Sequence, residues 1–241
     1  MIKTNLLQFI DLYHLAGSVE KVKVVSDGTN LSTKFVTDDR TLFGTITYND
    51  LVMEAGEYGV HDTKQFKKMI GVLDENITAQ INKFGNRPIG ITFSDTGTES
   101  LVMLADLSVI PEPPKGINTG KIGLEITMDE AFIDRFIRAK SSLSDVKTFT
   151  LVTNEKTKRV ELIIGHSEIN SNRIKLEVVT VPGKDTLDNE VTFNADIFKE
   201  ILAKHQGMSG VVMRVNSAGL AHVQFKTANY DANYYLLKAT K

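Results

Sequence analysis

The sequence predicts an α+β chain made of two tandem copies of one domain. Three observations carry that prediction. FKKMIGVL at positions 66 to 73 returns as FKEILAKH at 198 to 205, FIDLYHLA at 9 to 16 returns as FIDRFIRA at 132 to 139, and strand-like stretches follow both helices in both halves. At 241 residues with 41% hydrophobic composition, the length suits two domains of about 120 residues each.

The opening stretch, MIKTNLLQFIDLYHLAG, reads as an amphipathic helix rather than a signal peptide, because Asp11 and His14 interrupt its apolar residues. VEKVKVVSDG, NLSTKFVTDD and TLFGTITYND follow, alternating or running apolar between turn residues, and read as strands. In DTKQFKKMIGVLD the apolar residues Phe66, Met69, Ile70 and Leu73 recur at helical spacing and leave Lys64, Lys67 and Lys68 on the opposite side. NITAQIN, GITFSD and SLVMLAD are three further strands. LSVIPEPPKGINTG, 107 to 120, holds three prolines and two glycines and reads as an extended connector. The predicted domains are therefore 1 to 106 and 121 to 241, on either side of it.

The second half repeats the order. DEAFIDRFIRAKSS is a helix with Phe132, Ile133, Phe136 and Ile137 inward and Arg135, Arg138 and Lys140 outward. TFTLVTNEKT, RVELIIGHSE and RIKLEVVTV are strands, and PGKDTLDNE is turn-rich. ADIFKEILAKHQ is the fourth helix, with Ile197, Phe198, Ile201 and Leu202 inward and Lys199, Lys204 and His205 outward. VVMRVNS, AHVQFKT and NYYLLKA close the chain as strands.

The repeat extends beyond the helices. At an offset of 132, Phe66 meets Phe198, Lys67 meets Lys199, Ile70 meets Leu202, Ile81 meets Met213, Ile91 meets Val223, Phe93 meets Phe225 and Leu104 meets Leu236. The first helices match at an offset of 123, repeating Phe9, Ile10, Asp11 and Ala16. The nine-residue difference places an insertion in PGKDTLDNE, 182 to 190. Amphipathic helices resemble one another by nature, but two matches in the same order weaken that explanation.

With 28 basic and 30 acidic side chains the net charge is -2, so any nucleic-acid surface must be local. Three of the four helices carry basic outer faces, whereas Asp38, Asp39, Asp50, Glu54, Glu57, Asp185, Asp188 and Glu190 fall in turns and strands. One basic face is ordinarily just solvated. Three together form a surface that grips phosphates without reading bases. The chain has no cysteine, which excludes disulfides and thiolate chemistry and is compatible with a reducing, cytoplasmic setting. No run reaches the ~18 apolar residues that span a bilayer.

The tandem β domains, the proline-bearing connector, the lysine-bearing helices and the closing NYYLLKATK together resemble the sliding DNA clamps, in particular the two-domain trimeric kind of tailed phages, archaea and eukaryotes. The resemblance implies a homotrimeric ring with antiparallel sheets outside and four helices per chain lining a hole for double-stranded DNA. It implies no catalysis and no cofactor, a replicative DNA polymerase as partner, and a separate ATP-driven clamp loader. The duplex-facing residues would be Lys64, Lys67, Lys68, Arg135, Arg138, Lys140, Lys199 and Lys204. The first helix, with only Lys3 and His14 as positive groups and with Asp11, would make weak, uneven contact. Subunits would join through Thr98 to Asp106 of one copy and Arg173 to Val181 of the next. Partner peptides would dock at Val36, Arg40, Leu42, Ile110, Pro111, Tyr235 and Leu237, Ile110 having little core of its own to join.

Other classes find less support. The five histidines are scattered with no H-E-x-x-H pair, GKD at 183 to 185 lacks the glycine-rich lead of a phosphate loop, and no G-x-S-x-G elbow is present. Asp38 and Asp39 before Arg40 fit a turn better than a magnesium site. The remaining alternatives are a two-domain structural or interaction module, for example of a phage particle, and an enzyme assembled from scattered carboxylates.

Overall fold

The computed structural model describes residues 1–117, 119–154, 156–166 and 172–239; the end of RVELIIGHSE and the last two residues of NYYLLKATK lie outside them. The chain divides into two compact units. The first holds Met1–Asp38, Phe43–Pro113 and Lys226–Ala232, and the second holds Asp39–Leu42, Pro114–Phe225 and Asn233–Lys241.

In the first unit, helix α1 (Lys3–His14) packs antiparallel to α2 (Thr63–Gly71). Strands β1 (Val22–Ser26), β2 (Leu31–Val36), β3 (Leu42–Tyr48) and β4 (Gly56–Val60) form one antiparallel array in the order β4-β1-β2-β3. A second array runs β5-β6-β7, from Thr78–Phe84, Arg87–Ser94 and Glu99–Met103. Phe9, Ile10 and Tyr13 of α1 and Phe66 and Ile70 of α2 are buried. Phe9 meets Tyr13 edge-on with centroids 5.5 Å apart, and Phe66 meets Phe93 of β6 at 5.8 Å. Such aromatic pairs add about 0.5–1.5 kcal/mol beyond their burial. Strand β4 is absent from the sequence reading because GEYGV is short and holds two glycines. One of them is required: a Cβ on Gly59 would stand 2.5 Å from the carbonyl oxygen of Ala105, whose N–H donates to Gly59 O at 2.8 Å.

The second unit repeats the plan. Strands β8 (Ile122–Met128), β12 (Val179–Asp185), β14 (Val211–Asn216) and β15 (Leu220–Lys226) array as β12-β8-β14-β15. Strands β9 (Thr148–Thr153), β10 (Val160–Ile164), β11 (Ile174–Glu177) and β13 (Val191–Asn194) array as β11-β10-β9-β13. Helices α3 (Glu130–Ser142) and α4 (Ala195–Lys204) pack together over Phe136, Phe149, Phe193 and Phe198, whose rings lie 4.9–5.5 Å apart. The last strand, β16 (Tyr230–Leu237), has its residues from Asn233 onward in this unit.

Two expectations are corrected here. RIKLEVVTV is not one strand: it splits at Val178 into β11 and β12, which join different arrays. PGKDTLDNE is not wholly a turn, since Pro182 to Asp185 continue β12. A proline is tolerated there because β12 is the outermost strand of its array and its second edge needs no donors.

The helices start where side chains satisfy their first N–H groups. Asp62 accepts from Gln65 N at 2.7 Å, Asp129 from Phe132 N at 2.7 Å, and Asn194 from Ile197 N at 3.0 Å. Helix α1 has no cap of its own in sequence. Glu75 supplies it from beyond α2, accepting Lys3 N on its backbone oxygen at 2.8 Å and Thr4 N on its carboxylate at 3.2 Å.

Candidate nucleic-acid interface

The basic residues of the helices separate into three groups. Lys64 and Lys68 of α2 and Arg135 and Arg138 of α3 are exposed, Lys199 and Lys204 of α4 are half-buried, and Lys67 is half-buried and engaged. None of Lys64, Lys68, Arg135, Arg138 or Lys199 forms an ion pair among the described residues. Lys67 Nζ, in contrast, bonds to Asp11 Oδ1 of α1.

Lys140 is a correction. Its side chain is only 2% exposed, its ammonium lies 2.7 Å from Asp196 Oδ1, and it also donates to Leu143 O at 3.2 Å and Ser144 O at 3.3 Å. The residue ties α3 to the first turn of α4 and is out of reach of a duplex. His205 is a second correction. It is 1% exposed, lies flat on Phe225 at 3.7 Å, and has Nε2 3.1 Å from Tyr234 Oη. Burial pushes its imidazole down from the ordinary histidine value to about 3, so it carries no charge at neutral pH.

The first helix presents little positive charge. Lys3 Nζ donates to Leu73 O, and His14 Nε2 sits 3.0 Å from Glu20 Oε1. Glu20 in turn accepts Lys64 N at 3.0 Å and, on its backbone oxygen, Thr63 N at 3.1 Å, so it closes one end of the α1–α2 pair. The role of Asp11 and Glu20 was hidden in sequence because their partners lie 56 and 44 residues away.

The residues assigned to partner peptides fall into both units. Val36, Ile110 and Pro111 belong to the first, and Arg40, Leu42, Tyr235 and Leu237 to the second. Ile110 is corrected: it is buried, with its Cγ1 3.5 Å from where a Cβ on Gly59 would stand, so the unforeseen β4 gives it a core. Val36 and Leu42 are buried as well. Within the second unit Leu237 N donates to Thr41 O at 2.8 Å, which sets Leu237 beside Arg40 and Leu42, while Tyr235 stacks on His222 at 4.4 Å. Leu237, Leu107 and Val109 leave apolar side chains exposed, the last two unforeseen because LSVIPEPP gives no periodicity to read.

The connector is fixed at its start. Asp106 accepts Ser108 N at 2.9 Å and Ser108 Oγ at 2.7 Å and pairs with Arg87 at 2.7 Å, which holds its carboxyl below the usual range. Strands β7 and β11 are each outermost in their arrays, with Leu101 and Met103 of β7 exposed.

This arrangement has a match among solved structures. The crystal structure of Proliferating Cellular Nuclear Antigen from Entamoeba histolytica superposes with a TM-score of 0.71, covering 100% of this chain and 97% of that one at 12% sequence identity. The fold is that of the sliding DNA clamps. No protein-family model matches the sequence. No curated protein matches it either. The likeness is thus one of overall backbone shape, with nearly nine in ten residues differing. Among the described residues no helix is long and apolar enough to cross a membrane, and no group of three or more histidine, aspartate or glutamate side chains is placed to hold a metal ion.

Proposed function

We propose that the chain is a sliding clamp: three copies close head to tail into a ring around duplex DNA and tether the replicative polymerase, without catalysis of their own. The observation that carries this reading is the segregation of charge. In a chain of net charge -2, Lys64, Lys68, Arg135, Arg138 and Lys199 stand on the helices of a clamp fold without an ion pair among the described residues. Long, mobile cations of this kind hold phosphates of any sequence loosely enough for the duplex to slide. Lys204 is assigned to the same face.

Ring closure is assigned to β7, Glu99–Met103, pairing with β11, Ile174–Glu177, of the next copy. Both are outermost strands, and a head-to-tail contact closes if its rotation divides the circle. Partner peptides are assigned to Arg40, Tyr235 and Leu237 of the second unit, and Pro111 is kept as a separate candidate in the first. The domain limits are assigned as 1 to 106 and 121 to 241, with 107 to 120 as the connector, and the ring would be opened by a separate ATP-driven loader in the cytoplasm, the host cell's if the protein is viral.

The test is the solution mass by light scattering over a wide concentration range. The expected result is a mass near three times the 26.7 kDa chain. A monomer at every concentration would remove the closed hole and leave an interaction module.

A further inference from the structure

The duplicated helices carry the same pair of opposite charges, and the two copies use it differently. Asp11 and Asp134 occupy one position of the repeat, and Lys67 and Lys199 another. In the first unit the lysine bonds to the aspartate across the α1–α2 pair. In the second unit Asp134 Oδ1 accepts from Gln206 Nε2 at 3.3 Å, and Lys199 forms no ion pair among the described residues.

Resting on the DNA-encircling function proposed above, we infer that Asp11 is an affinity-limiting residue: it masks Lys67 from the duplex, so that the first unit contributes one phosphate contact fewer than its sequence provides. A phosphate reaching Lys67 must displace a carboxylate already in contact with the ammonium, or remain beside its negative charge. The released lysine would add one neutralised phosphate per chain, and each such contact steepens the salt dependence of binding by about 0.9 in log–log slope. The pair is partly exposed, with side chains 38% and 28% accessible, so its loss costs the fold little.

The test measures binding of the full chain to a short fluorescent duplex between about 50 and about 200 mM salt, by anisotropy. Asp11→Asn is expected to bind about threefold to tenfold tighter at the low end, with the slope steeper by about 0.9 per chain. Asp134→Asn removes the same charge but releases no lysine, and changes the slope little. In the double variant D11N/K67A the gain disappears. A D11N chain no tighter than wild type, or a gain that survives K67A, overturns the inference while leaving the DNA reading in place. If D11N does not fold, Lys67→Ala against Lys199→Ala decides: the inference expects K67A to lose less, and equal losses overturn it. No salt-dependent binding by any of the variants overturns the inference, and if the wild-type chain is also not retained on closed circular DNA the DNA reading itself is overturned.

Discussion

Replacing Asp196 with alanine destabilises the chain by about 3 kcal/mol or more, whereas replacing its partner Lys140 with methionine costs about 1 kcal/mol or less. The asymmetry follows from where the two charges sit. Lys140 is 2% exposed, so without Asp196 a desolvated ammonium is left with two carbonyl oxygens at 3.2 and 3.3 Å. Asp196 is 44% exposed, so without Lys140 its carboxylate has water and Lys147, 3.4 Å away. Methionine fills nearly the space of the lysine stem, and Leu143 O keeps a second donor in Val146 N at 3.2 Å. Denaturant midpoints at neutral pH compare the two variants directly. Equal losses, or a larger loss for K140M, would show that the pair is not held as a buried cation.

Stability also falls on mild acidification because of one imidazole. The folded chain keeps His205 neutral down to about pH 3, while in the unfolded chain the same group takes up a proton below its ordinary value of 6.5. Unfolding therefore binds a proton throughout that window, and the stability present above pH 6.5 is lost as pH falls through it. At about 1.4 kcal/mol per pH unit the loss reaches about 2–3 kcal/mol at pH 4.5. The carboxylates held low by hydrogen bonds, Asp106 and Glu161 among them, give up their contribution only below the ordinary carboxylate range, near pH 4. His205→Gln keeps a donor for Tyr234 Oη without titrating. Its unfolding free energy, measured from about pH 7 to about pH 4.5, is expected to be nearly flat where the wild type slopes. Parallel curves would refute the assignment.

Both residues show what the sequence offered and how it was passed over. Lys140 lies four residues after Phe136 and seven after Ile133, and His205 lies four after Ile201 and seven after Phe198. Each stands on the apolar stripe of its helix, so spacing alone predicts burial. Assigning side by residue type put them outside. The long helices and the strands with clear alternation were legible because burial on one face imposes a period on many residues at once. Strand β13, VTFN, is too short for that, and it runs directly into α4. Strand β8 was missed although IGLEITM alternates cleanly, its inward Leu124, Ile126 and Met128 all buried. The split at Val178 depends on which array each piece pairs with, and no local residue encodes that.

The charged face was legible in part for a related reason. Exposure of Lys64, Lys68, Arg135 and Arg138 follows from helical spacing, since nothing else competes for those positions. The state of Lys67 depends on Asp11, which chain folding brings across from another helix. Tertiary pairing of this kind leaves no trace in the local pattern.

The central claim is topological, and retention on closed circular DNA tests it most directly. The chain is diluted until the ring dissociates and is then concentrated together with duplex circles, so that rings close around the DNA without a loader; the complexes are isolated in a high-salt wash, and half are then cut once with a restriction enzyme. The account predicts that protein stays with the intact circles and leaves the linear ones by sliding off their ends. Equal retention on both, or equal loss from both, would contradict a ring that holds DNA by enclosing it.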